Sequence, residues 1–243
     1  MEEKVCGLVI RETDYRENDK ILTVITKELG KISICARGVR NSRSKNASAV
    51  RFMCYTEFVI SGGRNNFYYM TQCALIQSFY KISEDVVKLS LATYLAQLAA
   101  DIMPECSESG ETLSLVLNTF YVLANTNKDL ALVKAAFELR LMAQQGYMPQ
   151  LECCNGCGEI TSPMFFDISA GGLWCPACAA KGVKIEKNLL DALRYIAYCP
   201  LKQLFSFTVS ENIAKDLYSC CEQYAVSVAG RPPKSLEYLK MFM

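Results

Sequence analysis

KILTVITKELGKISICARG (residues 20–38) is the stretch whose reading decides the fold of the first third of this chain. Its first seven residues are rich in β-branched side chains, which favour extended backbone. GKISICARG then alternates strictly, with Ile32, Ile34 and Ala36 on one face and Lys31, Ser33, Cys35 and Arg37 on the other. That two-residue period is the mark of a half-buried strand. Upstream, residues 5–11 read as a further strand. Downstream, YTEFVIS (55–61) and NFYYMTQCAL (66–75) make two more, joined by the turn signal Gly62-Gly63-Arg64-Asn65. Five short strands in about eighty residues are most economically closed into a small barrel, of which the OB-fold is the five-stranded form.

Between the third and fourth strands lies RGVRNSRSKNASAVR (37–51), basic, polar and rich in small residues, which predicts a mobile loop. The overall charge of +1 conceals this segment. Residues 1–80 hold 12 Lys+Arg against 8 Asp+Glu (+4), and the remainder holds 14 against 17 (−3). From Lys31 to Arg51 there are six basic residues and no acidic one, a local positive field. Arg37, Arg40, Arg43, Lys45 and Arg51 can all reach one phosphate backbone, and Tyr55, Phe67, Tyr68 and Tyr69 lie on the flanking strands. Cations for phosphates with rings for bases is the chemistry of single-strand binding. The same residues also suit a solvated loop and a barrel core. Alternation across Phe67-Tyr68-Tyr69 sends at least one ring outward and one inward.

From Ser83 the period becomes helical. Residues 83–103 carry a broad apolar stripe with Ser83 as N-cap, and further helices are predicted at 111–124, 129–145, 186–198 and 211–229. These are apolar enough to pack into one bundle. Glu138 and Arg140 read as solvated surface. There is no Walker sequence, no Gly-x-Ser-x-Gly and no histidine anywhere, so no catalytic constellation is visible.

LECCNGCGEITSPMFFDISAGGLWCPACAAKG (151–182) holds five of the thirteen cysteines. The spacing is Cys154-x2-Cys157, seventeen residues, then Cys175-x2-Cys178. Two such turns facing each other form a tetrahedron of thiolates that suits Zn²⁺. Four thiolates close the coordination shell, so one structural zinc is expected, with MFFDISAGGLW (164–174) forming a short hairpin between the pairs. A thiol redox pair and ordinary core cysteines are the competing readings. Cys153 is out of phase, a free thiol or a spare ligand, and Trp174 is expected to pack over the metal site. Cys6, Cys35, Cys54, Cys73, Cys106, Cys199, Cys220 and Cys221 read as small packing residues. The N-terminus lacks the basic-then-apolar order of a signal peptide. No apolar run approaches the ~20 residues of a membrane span, so a cytosolic protein without disulfides is expected.

Taken together, the chain resembles the bacterial RecO family of DNA repair and recombination mediators. The resemblance rests on GLVIRETDYRENDKILTVITKELGKISICARGVRNSRSK (7–45), with its Tyr-x-Glu-x-Asp turn, on CNGCG…GGLWCPAC, and on AGRPPKSLEYL near the end. It implies an α+β protein: an N-terminal OB-fold at 1–80, then a helical domain at 81–243 with a zinc-binding insert at 151–182. It implies no enzymatic turnover. The expected activities are binding of single- and double-stranded DNA, annealing of complementary strands, and, with RecR, loading of RecA onto strands coated by single-stranded-DNA-binding protein (SSB). The acidic, apolar C-terminal tail of SSB is an expected partner, and the cytoplasm, at the nucleoid, the expected location. Carried over by position, the DNA contacts are Lys31, Arg37, Arg40, Arg43, Lys45 and Arg51, and the zinc ligands are Cys154, Cys157, Cys175 and Cys178. The alternative is a zinc-ribbon scaffold that binds only protein, or a thiol redox enzyme using a C-x2-C pair.

Overall fold

In the computed structural model, which describes residues 2–104, 108–179 and 181–243, the alternating stretch at 20–38 becomes two neighbouring strands of a closed barrel. The five strands are β1 (Glu2–Tyr15), β2 (Asp19–Thr26), β3 (Lys31–Ala36), β4 (Cys54–Arg64) and β5 (Phe67–Ser78). Their order around the barrel is β1-β2-β3-β5-β4. Every pairing is antiparallel except β3 with β5, which run parallel from Ser33↔Phe67 to Cys35↔Tyr69 and close the barrel. This is the OB-fold that the strand count predicted.

The inward set is the one that alternation picks out. Ile32, Ile34 and Ala36 are buried in a cluster with Val5, Val9, Leu22, Val24, Phe58 and Ile60. Each fully buried aliphatic side chain contributes roughly 1.5–3 kcal/mol. β1 and β2 approach so closely at Gly7 that a Cβ there would lie 2.3 Å from Val24 Cγ1, so only glycine fits. Tyr68 packs against the core, while Tyr69 is 40% exposed and meets Phe67 edge to face at 5.5 Å. The rings therefore divide inward and outward as alternation requires.

The segment expected to be mobile is folded instead. Val39 and Val50 enter the barrel core, and Thr56 Oγ1 donates to the Ala49 carbonyl at 2.7 Å. The Arg40 N–H donates to the Asn18 carbonyl at 3.0 Å, and the Gly38 N–H to Asp19 Oδ1 at 2.9 Å. Two valines in a polar stretch carry no periodicity, yet they plug one end of the barrel.

The helices are α1 (Val86–Ile102), α2 (Gly110–Asn125), α3 (Leu130–Gln144), α4 (Lys187–Tyr198), α5 (Glu211–Ala229) and α6 (Lys234–Leu239). They are shared between two compact units rather than gathered in one bundle: residues 1–126 with 235–243, and residues 127–234. α1 and α2 pack against β1, and α2 also against β2, so Leu8 and Ile10 are buried although they lie outside the barrel's own core cluster. The N-cap of α1 is Asp85, which accepts from the N–H groups of Val87 and Lys88, and not Ser83. Ser83 lies in the preceding 3-10 turn, Tyr80–Glu84, which tightens the entry to α1.

In the second unit, α3 and α5 pack side by side and α4 contacts both. A small sheet accompanies them: β6 (Gln150–Cys154), β7 (Met164–Asp167), β8 (Gly172–Trp174) and β9 (Val183–Ile185), in the order β6-β8-β7-β9. β7 and β8 form the expected hairpin, with Phe166 opposite Leu173.

Glu138, read from sequence as solvated, is fully buried. It lies 2.7 Å from the equally buried Lys134, whose ammonium also meets Glu222 of α5 at 2.8 Å and sits 4.1 Å from the Tyr218 ring centroid. Burial works against the Lys134 charge, but the two carboxylates outweigh it and hold its pKa above the usual lysine range. Arg140 is likewise engaged, donating to the carbonyl and the sulfur of Cys199. The i,i+4 spacing of Lys134 and Glu138 suits an exposed helix face equally well, and only the packing of α5, which brings Glu222, buries the pair. Replacing Lys134 by Met leaves two carboxylates facing each other out of water. It is expected to lower the unfolding free energy by about 3–5 kcal/mol in a urea titration, with most of that recovered when Glu138 and Glu222 are made apolar as well.

Candidate nucleic-acid interface and metal centre

The cationic segment runs over the outside of the barrel plug. Arg37, Arg40, Arg43, Lys45 and Arg51 are all exposed. Among the described residues, Arg37, Arg43, Lys45 and Arg51 have no carboxylate within ion-pair distance. Arg40 pairs with Asp14 at 3.2 Å and donates to the Arg16 carbonyl at 3.1 Å. Arg40 and Arg51 line one polar cleft of about 440 Å³ together with Asp14, Lys20, Asn41 and Ser42. Lys20 forms an ion pair with Glu12.

Lys31 is placed differently. Its ammonium donates to the carbonyls of Ala100 at 2.6 Å and Met103 at 3.3 Å, at the C-terminus of α1. A cation there satisfies carbonyls that the helix leaves open and complements the helix dipole. Arg37, by contrast, stacks its guanidinium 4.7 Å from the centroid of Tyr69. That partnership was not legible beforehand. It follows from the parallel register, which puts Tyr69 beside Cys35, two residues from Arg37. Sequence reasoning also passed over Lys20, Asn41 and Ser42, which carry no motif and join the cleft only when the segment folds back on β2.

The four cysteines converge. β6 and β8 pair in parallel, with Cys154 opposite Leu173, so the two C-x2-C turns leave adjacent strand ends side by side. The sulfurs of Cys154, Cys157, Cys175 and Cys178 all lie within 4.8 Å of one another, and those of Cys157 and Cys175 are 3.6 Å apart. A tetrahedral metal with thiolates at ~2.3 Å needs sulfurs roughly 3.8 Å apart, so the donor set fits a metal ion. The N–H groups of Cys175 (3.2 Å) and Gly156 (3.4 Å) point at the Cys154 sulfur. The Cys175 N–H is the main cause that lowers the Cys154 thiol to about 6. Cys178 is pushed up to about 12, chiefly by the thiols of Cys175 and Cys157. Four thiolates this close repel one another, and a cation among them lets all four ionise.

Gly156 sits in a crowded position: a Cβ there would lie 3.2 Å from the Cys178 sulfur and 3.2 Å from the Trp174 ring. The indole thus packs beside the sulfur cluster. Cys153 stays outside it, its sulfur accepting from Gln150 Nε2 at 3.3 Å. Of the remaining cysteines, Cys35, Cys54, Cys199, Cys220 and Cys221 are buried, and Cys6 and Cys73 are half-buried. Burial pushes the Cys220 thiol up to about 12, as befits an unreactive packing residue. Cys106 lies outside the described residues. No helix is long and apolar enough to cross a membrane among the described residues.

Comparison with known proteins agrees with this architecture. Residues 1–79 match the family model described as Recombination protein O N terminal, and residues 83–237 match Recombination protein O C terminal. The DNA repair protein RecO of Acetivibrio thermocellus is 32% identical over 241 residues, covering 98% of this chain and 96% of the relative. The DNA repair protein RecO of Clostridium perfringens is 31% identical, covering 96% of each chain, and that of Pelotomaculum thermopropionicum is 30% identical, covering 98% and 94%. With both halves matched and full-length relatives at this identity, the chain belongs to the RecO family of DNA repair proteins.

Proposed function

We propose that this protein binds single- and double-stranded DNA through Arg37, Arg40, Arg43, Lys45 and Arg51, and acts by non-covalent charge neutralisation. The carrying observation is that these five exposed cations share one anchored segment that contains no acid. Lys31 is left out of the set because α1 already engages its ammonium. Arg40 stays in, since a phosphate can replace the partly exposed Asp14 at little cost.

Annealing brings two polyanions together, and a cationic surface that screens both lowers their repulsion. The outward pair Phe67 and Tyr69 supplies rings against which unpaired bases can stack. In this reading the protein anneals complementary strands, engages the C-terminal tail of SSB, and with RecR helps load RecA onto SSB-coated strands, in the cytoplasm at the nucleoid. Membership of a family of DNA repair proteins supports it. We further propose that the ion held by the four cysteines is Zn²⁺, which favours a closed tetrahedron of thiolates, and that it is structural. The sheet it joins has strands of only three to five residues, too small to persist without a staple.

Two outcomes follow. Changing Arg37, Arg43 and Lys45 together to Ala is expected to weaken single-stranded DNA binding and to reduce the slope of log K against log salt by about 2, at roughly 0.7 per phosphate contact. An unchanged slope in a fluorescence-anisotropy salt titration rules this segment out as the contact surface. Stripping the metal with a chelator, or Cys175→Ser, is expected to lower Tm by about 10 °C or more in calorimetry, because losing a structural metal costs several kcal/mol. Metal analysis that returns no zinc, or melting unaffected by chelation, rejects the structural zinc.

A further inference from the structure

Arg51 is the wall between two clefts of opposite character. One is the polar cleft it shares with Arg40, Lys20, Asn41, Ser42 and the Arg40-paired Asp14. The other, of about 350 Å³, is bedded by Phe52, Met53, Leu75, Tyr80 and Leu89, with hydroxyls of Ser48, Ser78 and Ser83 and the Lys20-paired carboxylate of Glu12 among its lining. Leu75 is 44% exposed and Tyr80 is 65% exposed, so apolar surface stands open to solvent within reach of an uncompensated cation. An apolar hollow beside a cationic one, joined by an arginine, matches the two halves of a nucleotide: a flat, largely apolar ring and a charged phosphate.

The floor of the apolar cleft is rigidly set. Phe52 is held edge to face by Phe120 at 6.3 Å. Met53 has φ of 66°, a left-handed conformation that an unbranched but non-glycine residue adopts only when its surroundings impose it. Here its N–H donates to the Val9 carbonyl at 2.9 Å, and its carbonyl accepts from the Phe79 N–H at 3.1 Å. Backbone held this way concentrates at ligand clamps.

From these observations we infer that the cleft of Phe52, Met53, Leu75, Tyr80 and Leu89 captures an unstacked nucleobase of a single strand whose phosphates lie on Arg51 and Arg40. This rests on the DNA-binding reading above and adds to it a base subsite where the cationic plug meets α1. The cleft is distinct from the Phe67–Tyr69 face, which lies at the opposite end of β5 from Leu75 and Ser78. The occupant is a base and not a protein side chain because the cleft is continuous, through Ser48 and Arg51, with the cationic segment. A base held here is kept from pairing within its own strand.

The test compares the full-length protein's affinity for a single-stranded oligonucleotide with its affinity for a strand of equal length and charge made of abasic residues, each across a salt series. The wild-type chain is expected to prefer the base-bearing strand by roughly tenfold or more, within the range that base stacking supplies. Tyr80→Ala and Leu75→Ser are each expected to shrink that preference several-fold while leaving the salt slope and Tm unchanged, since both side chains are largely exposed. If the wild-type chain is indifferent to base removal while binding retains its salt dependence, the base subsite is wrong, the charge reading stands, and the cleft is left to an apolar side chain of a protein partner. A preference that survives both substitutions undiminished also overturns the subsite. Failure of the wild-type chain to bind either strand overturns the subsite and the DNA-binding reading together.

Discussion

The parallel contact of β3 with β5 is the constraint on which the first unit depends. It spans only three paired positions, yet it turns an open sheet into a closed barrel. The chain between those strands must leave β3, cross one end of the barrel, descend β4 and return along β5. That route makes residues 37–53 a lid on the core, with Val39 and Val50 beneath and the cations above. It also sets Tyr69 beside the end of β3, where the Arg37 guanidinium stacks on it. Without closure the cationic segment would have no floor, and the charges on it no common direction.

Charge is used in two opposite ways. On the 37–51 segment the cations are exposed, and Arg40 pairs with a carboxylate that water also reaches, Asp14. Such pairs are worth under about 1 kcal/mol, so they are exchanged at little cost. Between α3 and α5, Lys134 is locked by Glu138 and Glu222 away from solvent, where any exchange would strand a charge. Exposure makes the first set available for binding, and burial makes the second a fixture of helix packing. A count of Lys and Arg along the chain does not separate the two.

The sulfur cluster makes the same point about local and distant order. Each C-x2-C turn is a local structure, recognisable from spacing and from the glycines that loosen the first turn. What makes them one centre is the parallel pairing of β6 with β8, which aligns two strand ends separated by the whole of the intervening hairpin.

By itself the sequence determined the elements whose chemistry is periodic or fixed in spacing. The five barrel strands, the inward set of Ile32, Ile34 and Ala36, the five longer helices and the four cysteines were legible because period and spacing depend only on near neighbours. Tertiary structure alone decided what depends on residues far apart in the chain. It placed Glu138 in the interior, took the Lys31 ammonium to the end of α1, and folded a polar loop into a plug. It also put Arg51 between two clefts. The physical reason is common to all of these: the environment of a charge or a short apolar side chain is set by groups that reach it through space, and no local pattern records them.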